Sequence, residues 1–260
     1  MGCKVDFFIV GVQKGGTTAL DTYLRQHTAI QMARVKEVHH FDNEANNWLS
    51  PDHNHLHGQF EWNSQDVLRG EATPIYTYWP EAIARLHRYN PSAKLLMLLR
   101  HPSLRAHSHW QMEHTRRREL LSFEEAISDL GRRRMSATQG IHRIHSFVER
   151  GFYAEQIKQL LEFFPKEQIC FLRTDALWRE PGHVLETVET FLGIAHQLQR
   201  SVSPKYIVPE RPSTRIPMPK SARAYLDSVY AGDIEETSQL TQIALSDWLD
   251  PSYVEPMQTG

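Results

Sequence analysis

Near the start of the chain, Phe7-Phe8-Ile9-Val10 forms an unbroken apolar run. A run this short, rich in aromatic and β-branched side chains, predicts a strand covered on both faces. Beyond a glycine-containing stretch, Ala19, Leu20, Tyr23 and Leu24 recur at helical spacing, so the region reads strand, loop, helix. A second apolar run, Leu95-Leu96-Met97-Leu98-Leu99, follows an amphipathic stretch from Glu81 to Tyr89 that Asn90-Pro91 ends. The third unit pairs a helix from Tyr153 to Phe164, stopped near Pro165, with a strand over Ile169-Cys170-Phe171-Leu172. Helices alternating with short buried strands imply parallel β-α-β units. The expected fold is therefore α/β: one domain over residues 1–260, a central parallel sheet flanked by helices, and a site at the carboxyl ends of the strands. Between Ser201 and Pro219, prolines at 204, 209, 212, 217 and 219 are interleaved with Lys205, Arg211 and Arg215, which predicts a long loop of the kind that often carries function. The tail, from Ser221 through Leu226 and Tyr230 to Leu245, Trp248 and Leu249, reads as a helical pair packed back on the core.

Composition narrows the classes. The chain has 260 residues, 40% hydrophobic and 23% charged, which is ordinary globular composition and large enough for one sizeable core. With 29 Lys+Arg against 31 Asp+Glu the formal charge is -2, so no global positive field exists to hold a nucleic acid, and any anion site must be local. Cys3 and Cys170 stand far apart, which indicates neither a disulfide framework nor a thiolate metal site and fits a reducing compartment. The apolar start reaches only Val12 before Gln13 and Lys14, too short for a signal-peptide core or a membrane span. Met1-Gly2-Cys3 has Asp6 where an acylation signal wants Ser or Thr. The expectation is a soluble cytoplasmic protein.

The first strand runs into Gly11-Val12-Gln13-Lys14-Gly15-Gly16-Thr17-Thr18. A glycine-rich turn between a buried strand and a helix aims backbone N–H groups and the positive end of the helix dipole at one point, which cradles a phosphate. Thr17 and Thr18 add hydroxyls and Lys14 a full charge. The plain alternative is a strand-to-helix turn with an N-cap threonine. Gly11 and Gly16 have the spacing of a nucleoside-triphosphate loop, but Thr17 occupies the place of its lysine. Triphosphate enzymes also end a second strand with a magnesium-binding aspartate. Here that strand ends in Arg100, a cation able to grip phosphate bidentately. The pattern points to anion binding without metal.

These residues resemble the sulfotransferases that use 3′-phosphoadenosine 5′-phosphosulfate (PAPS), particularly the branch of heparan sulfate enzymes and bacterial relatives, over nearly the whole chain. F-F-I-V-G-V-Q-K-G-G-T-T-A-L is similar to that family's 5′-phosphosulfate loop, which implies that Lys14, Gly15, Gly16, Thr17 and Thr18 surround the 5′-phosphate and sulfate. L-L-M-L-L-R-H-P-S-L-R-A-H-S-H-W is similar to its 3′-phosphate element, with Arg100 and Ser108 in the binding positions. Lys36-Glu37-Val38-His39-His40-Phe41-Asp42 resembles the segment carrying the family's catalytic carboxylate. The resemblance implies Glu37 as general base, His39 and Asp42 in support, and Lys14 as stabiliser of the leaving phosphate. Gly70-Glu71-Ala72-Thr73-Pro74 parallels a segment in which the heparan enzymes carry lysine where Ala72 stands. Gly151-Phe152-Tyr153 and Phe164-Pro165 match later landmarks, whereas the family's late basic phosphate clamp is not recognisable, leaving Lys205, Arg211 and Arg215 as competing candidates.

The implied activity is sulfuryl transfer from PAPS to an acceptor hydroxyl, or secondarily an amine, of a carbohydrate or small metabolite, leaving adenosine 3′,5′-bisphosphate and using no metal. Two rivals stand beside it: a magnesium-dependent nucleotide kinase on the same loop, and a non-catalytic module that binds the bisphosphate or a sulfated glycan. The plain reading of Glu37 is a solvated carboxylate paired with Lys36, and that of His40 is core packing. His53, His55 and His57 would share one side of an extended segment, a pattern a metal could use, but their polar neighbours favour an ordinary loop. The triplets Arg116-Arg117-Arg118 and Arg132-Arg133-Arg134 read as solvated helix faces with glutamate partners such as Glu119, or as a basic rim for an acidic glycan. Trp48, Trp62, Tyr76, Tyr78 and Trp79 are candidates for sugar stacking or for the core.

Overall fold

A computed structural model describes residues 3–63, 66–198 and 216–256. Its centre is an all-parallel sheet of five strands: β1 (Phe7–Gly11), β2 (Ile30–Met32), β3 (Leu68–Ala72), β4 (Lys94–Leu99) and β5 (Ile169–Arg173), in the order β2-β3-β1-β4-β5. Every residue of β1 is buried, as its unbroken apolar run requires. It pairs on one side with β3 (Phe7 opposite Gly70) and on the other with β4 (Ile9 opposite Leu96). The three strands read from apolar runs are present with boundaries within a residue or two. Two others escaped that reading. β2 has only three residues, and β3, with the sequence LRGEA, carries Arg69 and Glu71 in a buried strand.

The residues group into two compact units. The first, from 3–63, 66–99, 159–198 and Pro256, holds the whole sheet together with α1 (Thr17–Leu24), α2 (Asn54–His57) and α3 (Ala82–Tyr89). Phe7, Ile9, Leu20, Tyr23, Leu96 and Leu98 are joined in its core by Leu185 and Val188. The second unit, from 100–158 and 216–255, contains α4 (Pro102–Thr115), α5 (Phe123–Ile127) and α6 (Asp129–Arg133). The helix α7 (Tyr153–Phe163) precedes β5 in the chain, which continues through α8 (Thr174–Arg179) and α9 (Pro181–Leu192). Pro102 begins α4 at a position where a missing N–H costs nothing, and Ser122 begins α5 with a reciprocal cap on Glu125.

The tail corrects its expectation. Instead of a helical pair, one helix of 22 residues, α10 (Lys220–Thr241), is followed by a short 3₁₀ turn at Ser246–Leu249. Its buried positions Ala222, Leu226, Tyr230, Ile234, Thr237 and Thr241 fall every three or four residues, a single uninterrupted stripe. The histidine segment corrects another. Asn54–His57 is a helical turn, so His53 and His57 share a face while His55 is exposed. Lys205, Arg211 and Arg215 lie outside the described residues.

Leu96 is fully buried among the side chains of this core. Leu96→Ala should lower the unfolding free energy by about 2–5 kcal/mol, read as a shifted urea midpoint at unchanged slope.

Candidate active site

The loop after β1 closes on itself and on its neighbours. Val12 N–H donates to Leu98 O at 2.9 Å and Gly15 N–H to Val12 O at 2.9 Å. A Cβ on Gly15 would stand 2.8 Å from that oxygen and 3.0 Å from Leu98 O, so the close approach requires glycine. Thr174 Oγ1 donates to Gly15 O at 2.6 Å and ties the loop to the start of α8. The N-cap of α1 is Gly16, with φ 82°, rather than a threonine. Gly16 has no side chain to bond the helix start, and the amides of Thr17 and Thr18 have no acceptor within the helix. They carry the positive end of the α1 dipole. Lys14, half-buried just before them, holds a left-handed backbone with φ 69°.

The Lys36–Asp42 segment crosses the end of β3, the strand beside β1. Glu37 N–H donates to Ala72 O at 3.0 Å, so position 72 contributes its backbone to the segment in place of the missing lysine. The carboxylate of Glu37 takes Lys36 Nζ at 2.7 Å through Oε1, and its Oε2 faces His39 Nε2 at 3.6 Å. His39 Nδ1 lies 2.8 Å from Oδ2 of fully buried Asp42. A carboxylate, an imidazole and a second carboxylate therefore stand in line. Burial pushes Glu37 upward, but the His39 ring and the Lys36 ammonium outweigh it and hold the carboxyl at about 2. The bond to Asp42, then that to Glu37, lift His39 to about 9 against the effect of burial. At neutral pH the proton sits on His39. Glu37 and His39 both adopt φ in the left-handed region, 61° and 54°. Each such residue costs about 1–2 kcal/mol, and with Lys14 the strained positions include the three catalytic candidates other than Asp42.

Arg100 follows β4 directly and already grips an anion. Its Nε and Nη2 bond Oε1 and Oε2 of Glu255, both at 2.7 Å, a bidentate pair. The Tyr153 hydroxyl donates to Arg100 O at 2.7 Å, and Asp233 accepts the Tyr153 and Ala154 amides at 2.8 and 3.1 Å, which gives the Gly151-Phe152-Tyr153 landmark a structural meaning. His101 stacks on Tyr253 with ring centroids 5.1 Å apart. Ser108 is half-buried on α4.

Other candidates resolve into packing. His40 is buried against Phe41 and Trp48 and shares a 2.8 Å bond with His53, its pKa lowered to about 4 by burial and then by the neighbouring histidines. Among the described residues no group of three His, Cys, Asp or Glu side chains is arranged to hold a metal ion. Trp48 lies under the Arg85 guanidinium and Trp62 under that of Arg69, each 4.5 Å away, so one face of each ring is taken. Tyr76 is buried, and Trp79 Nε1 donates to Glu44. Of the arginine triplets, Arg116 and Arg118 flank Glu113, Arg132 pairs with Glu149, and Arg134 with Glu119. Sequence reasoning missed Glu71, whose buried carboxylate no hydrophobic pattern announces, and Thr174, which is distant in sequence from the loop it ties down.

A parallel sheet whose first strand feeds a glycine loop and a hydroxyl-rich helix start, with acid and imidazole beside it, defines an α/β protein built to handle a phosphate-like anion at the carboxyl edge. Residues 4–206 match the family described as sulfotransferase domain, and the chain belongs to that family. It is 29% identical over 196 residues to heparan sulfate glucosamine 3-O-sulfotransferase 5 of Homo sapiens, covering 74% of this chain and 54% of that protein. To heparan sulfate glucosamine 3-O-sulfotransferase 3A1 of Mus musculus it is 31% identical over 186 residues, covering 72% and 45%. The chain thus spans about half the length of these curated relatives. A sulfotransferase from Alicyclobacillus acidocaldarius superposes with a TM-score of 0.78 at 28% identity, covering 95% of this chain and 99% of that one. No described helix is long and apolar enough to cross a membrane.

The linked ionisations fix a pH window. His39, raised from 6.5 to about 9, contributes stability that is complete below pH 6.5 and lost as pH rises through 9; Glu37, lowered from 4.5 to about 2, contributes stability complete above pH 4.5 and lost as pH falls through 2. The difference in melting temperature between the wild type and His39→Gln should therefore be widest between pH 4.5 and 6.5 and shrink above pH 9. NMR titration of His39 in Asp42→Asn should show its midpoint falling toward 6.5.

Proposed function

We propose that this chain transfers a sulfuryl group from PAPS to a carbohydrate hydroxyl, leaving adenosine 3′,5′-bisphosphate. The observation that carries the reading is the Glu37–His39–Asp42 line beside a phosphate-type loop on the neighbouring strand. The loop suits a phosphosulfate: no Cβ fits at Gly15, and the amides opening α1 point a positive dipole end outward. When bound, the donor supplies the sulfuryl group and a phosphate as leaving group. Lys14, Thr17, Thr18 and the amides around Gly15 and Gly16 would hold it, and Lys14 would act most strongly as negative charge grows on the departing oxygen. Arg100 and Ser108 are assigned to the 3′-phosphate. The carboxylate of Glu255, held bidentately by Arg100, supports that assignment, and Glu255 would yield its place to the phosphate. The names of the relatives, glucosamine 3-O-sulfotransferases, support a hydroxyl on an amino sugar as acceptor.

Glu37 receives the proton of the acceptor hydroxyl as the oxygen attacks sulfur. With a pKa of about 2 it is charged but weakly basic. An anionic substrate that draws Lys36 away would raise that basicity at the moment it is needed, while His39, fixed by Asp42, keeps the carboxylate aimed. Lys36 also provides beside Glu37 an ammonium in a chain that has alanine at position 72.

Glu37→Gln should bind adenosine 3′,5′-bisphosphate as wild type does in calorimetry, yet transfer sulfate from PAPS to desulfated heparan oligosaccharides about 10²–10⁴-fold more slowly; undiminished turnover removes Glu37 from the mechanism. Without added magnesium, Arg100→Ala should weaken the bisphosphate far more than adenosine 5′-monophosphate, whereas Glu255→Gln should tighten the bisphosphate selectively. Equal effects on both nucleotides would assign Arg100 a purely structural role.

A further inference from the structure

Four successive amides of the segment bearing Glu37 donate to one short stretch at the end of β3. Glu37 N–H bonds Ala72 O at 3.0 Å, Val38 N–H bonds Glu71 Oε1 at 3.2 Å, His39 N–H bonds Thr73 Oγ1 at 3.3 Å, and His40 N–H bonds Tyr76 Oη at 3.1 Å. Only the first is the backbone pairing that any strand edge could supply. The other three need particular side chains, and they fall where the backbone alternates into the left-handed region at Glu37 and His39.

Glu71 is central to this clamp. It is fully buried, and its Oε1 also accepts the Thr73 hydroxyl, so it fixes the hydroxyl that in turn takes the His39 amide. Among the described residues its other oxygen, Oε2, is buried without a partner at hydrogen-bond distance, although the Tyr76 hydroxyl also acts to lower the carboxyl. A buried ionisable side chain with one idle oxygen is costly in a strand that needs only packing there. Burial lifts the carboxyl to about 7, against the bonds from Thr73 and Val38 and the charge of Lys36. A proton resting on Oε2 would leave both bonds to Oε1 intact, so the clamp works in either charge state.

We propose that Glu71 is a positioning residue for sulfuryl transfer: by accepting the Val38 amide and the Thr73 hydroxyl, it holds Glu37 and His39 in the strained backbone that aims the base. The proposal rests on the reading of Glu37 as base. It assigns Glu71 no contact with substrate and no part in proton transfer.

The test compares Glu71→Gln, which keeps an acceptor oxygen and removes the charge, with Glu71→Leu, which removes both. NMR titration of His39 needs no substrate. Its midpoint should stay at about 9 in Glu71→Gln and fall toward 6.5 in Glu71→Leu. With PAPS and desulfated heparan oligosaccharides, Glu71→Leu should lower kcat roughly tenfold to hundredfold, the loss expected of a misaimed group, at unchanged bisphosphate affinity, and Glu71→Gln should restore most of it. In a Glu37→Gln background, Glu71→Leu should cost nothing further, since it acts through Glu37. Should Glu71→Leu fail to fold, Thr73→Val, which removes the acceptor of the His39 amide at nearly constant volume, should lower the His39 midpoint and kcat in the same way. An unchanged His39 midpoint in Glu71→Leu and Thr73→Val, a Glu71→Gln enzyme as impaired as Glu71→Leu, or additive losses in the double variant would each overturn the proposal. Full turnover by Glu37→Gln alone would instead defeat the base assignment and leave the His39 result to judge the clamp.

Discussion

The placement of β1 between β3 and β4 is the constraint from which the site follows. A strand buried on both faces and hydrogen-bonded on both edges cannot slip without exposing Phe7, Phe8 and Ile9 or abandoning its ladder. Because both neighbours run parallel to it, the ends of β1 and β3 emerge on one edge. The glycine loop continues from the first, and the second offers the oxygens that receive the Glu37 segment. Thr77 N–H donates to Val10 O at 3.2 Å and joins the stretch after β3 to β1 itself. The fold therefore sets the glycine loop and the acid–imidazole segment at the ends of two neighbouring strands, while the strained backbone that presents their side chains is held by local bonds.

Much of this was legible in the chain. Phe7–Val10 and Leu95–Leu99 declared themselves because a strand covered on both faces must be apolar throughout, and Ile169–Leu172, half-buried at the sheet edge, through its short apolar run after a helix. β2 and β3 did not, because one is too short to show a period and the other carries Arg69 and Glu71 inside. Arg69 rests its guanidinium on Trp62 and donates to Glu61 O, and Glu71 is occupied by Val38 and Thr73. Tertiary partners satisfied charges that would otherwise exclude a buried strand, and such partners cannot be read locally. The tail failed for the opposite reason: its apolar stripe is regular, but nothing between Ser221 and Thr241 breaks a helix, so the pair was one element.

The site showed the same division. Lys14, Gly15, Gly16 and Thr17 were visible as a glycine loop between a strand and a helix, whereas Glu37, His39 and Asp42 were picked out by the resemblance of their segment to a family motif. What the spacings could not disclose was the charge state. A lysine, an imidazolium and two carboxylates within seven residues of chain settle into a line in which Glu37 lies at about 2 and His39 at about 9, a consequence of distance and burial rather than of residue identity. Nor could they disclose that the glutamate of the Gly70-Glu71 pair, unremarkable in a polar stretch, is, like Asp42, a fully buried carboxyl near Glu37.

The Arg100–Glu255 pair bears on how anions are recruited. A guanidinium whose charge is already cancelled by a carboxylate 2.7 Å away projects little field into solvent. Under the proposed assignment an incoming oxyanion would have to displace Glu255, whose tethered charge stays close by, so its hold on Arg100 would be a contest of shape and hydrogen-bond count between two oxyanions.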